Sequence, residues 1–145
     1  MQETIADNQT DKMKNNLEKY MDHVDCPIRD ILDRFGDKWS ILILCLLGSK
    51  GKLRFTEISS HISNISQKMQ TASLRSLEKD GLIVRKLFAE VPPRVEYELT
   101  DLGISLIPYI ESLADWALKN KATITKNRER GAKLIAKTSY QAHKQ

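Results

Sequence analysis

Cys26 stands directly before Pro27. Proline suits the first turn of a helix, where its missing N–H leaves nothing unsatisfied. The thiol is then placed at the positive end of a helix dipole, which favours thiolate. Arg29 reinforces that field, while Asp22 and Asp25 oppose it. A thiolate there can be oxidised or can capture an electrophile, through a disulfide with Cys26 of the partner subunit or a mixed disulfide. The alternative is an inert, half-buried thiol. Cys45 falls in an apolar run and reads as core; a bond between Cys26 and Cys45 would need close approach of their Cα atoms. A second group is cationic. Lys68, Arg75 and Lys79 recur at helical spacing around Ala72, with Thr71 and Ser76 on the flanks. Long donors beside a small apolar side chain can address guanine acceptors and thymine methyls, and a plain solvated face is the alternative. Arg94, directly after Pro92-Pro93, is either a cation for a narrow, negative groove or an exposed turn arginine.

The elements that would hold these residues follow from periodicity and caps. Residues 1–15 are polar, and residues 16–24 can form a short helix with Leu17, Tyr20, Met21 and Val24 on one face. The helix opened by Pro27 has Ile28, Ile31, Leu32 and Phe35 as its stripe and stops at Gly36. Residues 39–47 are almost wholly apolar, which predicts a central helix buried on most sides with Gly48 as its C-cap. Leu53-Arg54-Phe55 reads as a short strand. Thr56 reads as the cap of a helix whose Ile58 and Ile62 face inward.

Ser63-Asn64-Ile65-Ser66 is then a turn, and Ser66 caps a helix running to about residue 79, with Leu74 and Leu77 toward the core. Asp80-Gly81 ends it. Residues 82–89 and 95–99 are strand-like on either side of Val91-Pro92-Pro93. Thr100 caps a long helix carrying Leu102, Leu106, Ile110, Leu113 and Ala117 at helical spacing, with Pro108 disturbing it. Beyond Lys119 the chain is either a loosely packed helix or an unstructured arm.

Helix, turn, helix and a proline-tipped ribbon make a winged helix-turn-helix, a mainly α fold with a small β-ribbon (α+β). That fold lays one helix in a DNA major groove with a ribbon beside it. The reading helix offers Ser66, Gln67, Lys68, Thr71, Ala72 and Arg75; its N-cap and open N–H groups suit a phosphate. Arg94, Arg54 and Lys52 are the wing and backbone contacts, with Arg94 suited to a minor groove.

Bulk properties narrow the field. The 145 residues fit one domain with helical additions, and a net charge of +4 permits a nucleic-acid partner without requiring one. The distribution says more: residues 1–25 carry six acids and three bases, residues 50–97 nine bases and five acids, and residues 119–145 eight bases and one acid. Basic charge therefore sits on the reading segment and the tail. Two cysteines make no disulfide framework, and no secretion signal opens the chain. The longest apolar run, residues 41–47, is too short for a bilayer, so the chain reads as cytoplasmic.

No cofactor or metal is called for. Gly48-Ser49-Lys50-Gly51-Lys52 lacks phosphate-loop spacing. Asp22, His23, Asp25 and Cys26 have no second ligand cluster, and His61 and His143 have no partner at metal-binding spacing. A thiol enzyme at Cys26 would lack a placed histidine base. Two other classes stay open: a winged helix used as a protein-interaction module, and a regulator gated by a ligand rather than by a thiol.

The motifs also occur in a familiar series. Cys26-Pro27, Arg34-Phe35-Gly36-Asp37-Lys38-Trp39, Arg54-Phe55-Thr56-Glu57-Ile58 and Ile65-Ser66-Gln67-Lys68-Met69 come in order. Val91-Pro92-Pro93-Arg94-Val95-Glu96-Tyr97 and Gly103-x-Ser105-Leu106-x-Pro108 follow. The series resembles the HxlR-type regulators, bacterial winged-helix proteins of the MarR-like superfamily, over about residues 24–118. The resemblance implies a homodimeric transcription regulator whose terminal helices build the dimer, through Leu17, Tyr20, Leu106, Ile110, Leu113 and Trp116. It implies double-stranded DNA with a near-palindromic operator as partner, and a small-molecule or electrophile inducer. Cys26 holds the position of the sensing cysteine of some relatives. Gln70 departs from the pattern, since an apolar residue is expected there. The expected organisation is an N-terminal extension (1–23), the winged domain with its dimerisation helix (24–118) and a basic tail (119–145).

Overall fold

The computed structural model describes residues 37–142, and the side chains of residues 37–138. The helices expected before residue 37, with Leu17, Tyr20 and Cys26, lie outside the described residues. Within them the order is helix α1 (Lys38–Lys50), strand β1 (Leu53–Arg54), helix α2 (Phe55–His61), helix α3 (Gln67–Lys79), strand β2 (Ile83–Phe88), strand β3 (Arg94–Leu99) and helix α4 (Asp101–Ala142).

Helix α1 is not buried on most sides. Its buried residues, Ser40, Ile43, Leu44 and Leu47, fall at i, i+3, i+4 and i+7, which is one face of a helix. Cys45 lies off that stripe and is exposed, as is Leu42 at 45%, so the expectation of a core Cys45 is corrected. The C-cap is Gly51, not Gly48. Gly51 takes φ 78° and its N–H bonds the Leu47 carbonyl at 2.9 Å, a left-handed turn that glycine adopts without strain. Gly48 stays helical.

The strand at Leu53 is two residues long, and Phe55 already belongs to α2. The cap is Arg54 rather than Thr56, because Glu57 reaches back to accept the Arg54 N–H at 2.6 Å. A carboxylate three residues into the helix supplies the acceptor that a cap hydroxyl would otherwise provide. Ile58 and Ile62 are buried as expected.

Asn64 occupies the left-handed region of the turn at φ 67°. Ser66 then caps α3, its Oγ accepting from the Met69 N–H at 3.1 Å. The two expected strands pair antiparallel from Ile83↔Leu99 to Phe88↔Arg94. β1 adds on the far side of β3 through Leu53↔Tyr97, giving the order β1-β3-β2. Ile43, Leu44, Ile58, Leu74, Leu77 and Ile83 form the core, each no more than 3% exposed.

A polar node closes this core at the start of α1. The Asp37 carboxylate accepts from the Trp39 N–H (3.1 Å), Ser40 Oγ (3.0 Å) and Ser73 Oγ of α3 (2.7 Å). Burial raises the Asp37 pKa, but the bonds from Ser73, Trp39 and Ser40 outweigh it and hold the carboxyl below its ordinary 3.8. A carboxylate whose pKa is depressed in the folded state stabilises it above the unfolded pKa and ceases to do so as pH falls through the folded one. Asp37→Ala is therefore expected to cost about 1 kcal/mol at neutral pH, as for a lost helix cap. The gap from wild type should narrow below pH 3.8, as read from urea midpoints; a gap that stays constant with pH would reject the carboxylate as its source.

Two compact units meet inside α4, between Ile104 and Ser105. The first holds the core and sheet just described, together with the first turn of α4. There Thr100 Oγ1 accepts from the Gly103 N–H (3.1 Å) and donates to the Gly81 carbonyl (2.6 Å). The described part of the second unit is the rest of α4. The helix runs on through Pro108 and beyond Lys119 to Ala142; of the two readings of the tail, it takes the helical one.

Candidate nucleic-acid interface

The second helix of the helix-turn-helix is α3. At 100° per residue its buried set, Gln70, Ser73, Leu74 and Leu77, occupies one side, and Lys68, Ala72, Arg75 and Lys79 fall opposite. All four of the latter are exposed, as are Ser66 and Gln67, while Thr71 is half-buried on the flank. The surface they form is a shallow groove of about 520 Å³ lined by Phe55, Gln67, Lys68, Thr71, Ala72 and Arg75. The structure thus puts five of the six expected residues along one side of α3, with the sixth, Ser66, at its N-cap.

The orientation of α3 depends on Gln70, the position where an apolar residue is expected. Gln70 is 0% exposed. Its Nε2 donates to the Phe55 carbonyl at 2.7 Å, and its Oε1 accepts from Ser59 Oγ at 2.8 Å. An amide can be buried here because donor and acceptor are both satisfied. The two bonds tie α2 to α3.

The wing residues are placed differently from one another. Arg54 is the exposed second residue of β1. Lys52 lies 3.6 Å from Glu98, which also pairs with Lys86. The hydrogen bond from Lys86 holds the Glu98 carboxyl below its ordinary range, with Lys52 adding to the effect. Arg94 is not at the tip but is the first residue of β3. Its guanidinium lies 3.1 Å from Glu90 and 3.4 Å from Glu96, and 4.2 Å above the Phe88 ring. It clamps the turn end of the ribbon.

One cation on this side escaped the sequence reading. Arg85 of β2 is exposed and lines a second groove of about 500 Å³ with Phe55, Thr71, Leu74, Arg75, Glu78 and Tyr97. Strand alternation was the available signal, since Arg85 shares its side of the sheet with buried Ile83.

The expected dimer residues on α4 divide. Leu106 is half-buried and Ile110 is 9% exposed, whereas Leu113 and Trp116 are 60% and 56% exposed. Among the described residues no helix is long and apolar enough to cross a membrane, and no cluster of metal ligands is present.

Comparison with known proteins agrees with this architecture. The family model described as HxlR-like helix-turn-helix matches residues 34–125. An HTH-type transcriptional regulator of Methanothermobacter thermautotrophicus is 48% identical over 91 residues, 63% of this chain and 69% of the relative. The redox regulator HypR in its oxidized form is 38% identical, with a TM-score of 0.60 over 66% of this chain and 97% of that one. The reduced transcriptional regulator YodB of Bacillus subtilis is 32% identical, with a TM-score of 0.58 over 66% of this chain and 92% of that one. With its helix-turn-helix, capped α3 and β2–β3 ribbon in this order, the chain belongs to the HxlR-like helix-turn-helix family and is a transcriptional regulator, not an enzyme.

Proposed function

We propose that the chain works as a homodimer that binds a near-palindromic DNA site, one α3 helix per half-site, and that Cys26 gates the binding. The observation that carries the reading is the outward side of α3, where exposed Lys68, Ala72 and Arg75 surround the groove lined by Gln67 and Thr71. Lys68 and Arg75 read guanine edges, and Ala72 and the Thr71 methyl meet thymine. Ser66 and the first N–H groups of α3 hold a phosphate. Arg54 and Lys52 approach the backbone; Arg94 exchanges its Glu90 pair for DNA at the wing. Exposed Leu113 and Trp116 support a second copy as the partner of α4, with residues 1–23 and 119–145 as additions to a winged core. The thiol gate is supported by the likeness to the redox regulator HypR, and an electrophile is the expected inducer.

The test uses DNA upstream of the gene for this protein and of its neighbours. Nanomolar retardation with steep salt dependence is the expected result; binding indifferent to sequence and salt would reject it. Diamide is then expected to change the affinity of wild type and leave Cys26→Ser unaffected. An identical response in both proteins removes Cys26 as the sensor.

A further inference from the structure

We propose that residues 119–137 of α4 make a second nucleic-acid contact, in which a row of five cations lies along the phosphate backbone of duplex DNA without reading its bases. The proposal rests on the DNA-binding function above but uses none of the residues of α3 or the wing.

The row follows from helix geometry. At 100° per residue, Lys119, Lys126, Arg130, Lys133 and Lys137 all fall within an arc of about 60°, and from first to last they span roughly 27 Å of helix. All five are exposed. None is in an ion pair among the described residues. The one acid of the stretch, Glu129, sits at the edge of the row rather than in it.

A solvated helix surface normally alternates charge, because opposite charges at i,i+4 stabilise it by a few tenths of a kcal/mol and like charges destabilise it by as much. Here Lys126–Arg130, Arg130–Lys133 and Lys133–Lys137 are three like-charge neighbours in succession. Such a row is relieved by a polyanion whose charges are closely spaced along a line. Duplex DNA carries about one charge per 1.7 Å of axis and releases condensed counterions when cations replace them.

Two other occupants fit less well. A second copy of the row repels the first. An anionic bilayer requires an apolar face opposite the cations, and that side of α4 carries Lys121 and Arg128.

Matched charge removals test the inference. Glutamine keeps helix propensity close to that of lysine and arginine, and circular dichroism checks that helicity is retained. Lys126→Gln with Arg130→Gln removes two cations from the row; Lys121→Gln with Arg128→Gln removes two from the other side. Affinity for a duplex of random sequence is measured across a salt series.

The row pair is expected to weaken binding by about tenfold at low salt and to make the salt slope shallower by about 1.8 per protomer. The off-row pair should stay within about twofold of wild type. Equal losses in both pairs, no loss in either, or a loss seen only with anionic vesicles would each overturn the proposal. Failure of the underlying function looks different, because wild type then retards no duplex of any sequence.

Discussion

Lys68→Ala combined with Arg75→Ala is expected to abolish discrimination between operator and random DNA. Each side chain stands on the exposed side of α3, one at its first turn and one two turns further on. Each good base contact is worth about 1–3 kcal/mol, so losing both lowers specific affinity by about a hundredfold or more. Residual binding to random duplex should persist, because phosphate contacts carry no sequence information. Neither residue packs in the core, so the melting temperature should move little. Competition between operator and random DNA in a mobility-shift titration reads the effect directly. A double variant that keeps its preference for the operator would show that α3 does not read bases.

Gly103→Ala is expected to give the largest loss of stability. A Cβ at Gly103 would lie 2.1 Å from the Leu82 carbonyl oxygen, 3.1 Å from its carbon and 3.2 Å from Leu99 Cδ2. The first obstacle is backbone, and that same oxygen accepts the Thr100 N–H at 3.1 Å. It cannot withdraw without breaking the corner where β2, β3 and the first turn of α4 meet. Overpacking of this kind costs about 1–3 kcal/mol and sometimes more; a contact this short against backbone belongs at the upper end. Gly131→Ala is the control. Nothing lies within 4 Å of its Cβ position, and it is inside α4, so alanine should stabilise the helix by up to about 1 kcal/mol. Urea midpoints of the two variants are expected to move in opposite directions. A neutral Gly103→Ala would mean that the corner opens readily.

The element order and the exposed side of α3 were legible in the chain because both rest on local rules. A buried stripe at i, i+3 and i+4 opposes an exposed one wherever the helix lies, and the Ser66 and Thr100 caps act three residues away. The glycine at the end of α1 shows the limit of such rules. Gly48 and Gly51 are both plausible stops from composition, and the choice depends on where β1 must begin in order to pair with β3.

Spacing along the chain does not encode the contacts that decided the rest. Gln70 looks misplaced until Phe55 and Ser59 arrive from α2 to satisfy its amide. Asp37 shows only in the structure as the cap of α1 and as a clamp on Ser73, 36 residues away. Arg94 reads as an exposed tip and is held by Glu90, Glu96 and Phe88. Propensity and periodicity are properties of neighbours in sequence. Burial of a polar group, the pairing of a cation and the need for a glycine at residue 103 arise only when distant backbone segments meet, and so they belong to the tertiary structure.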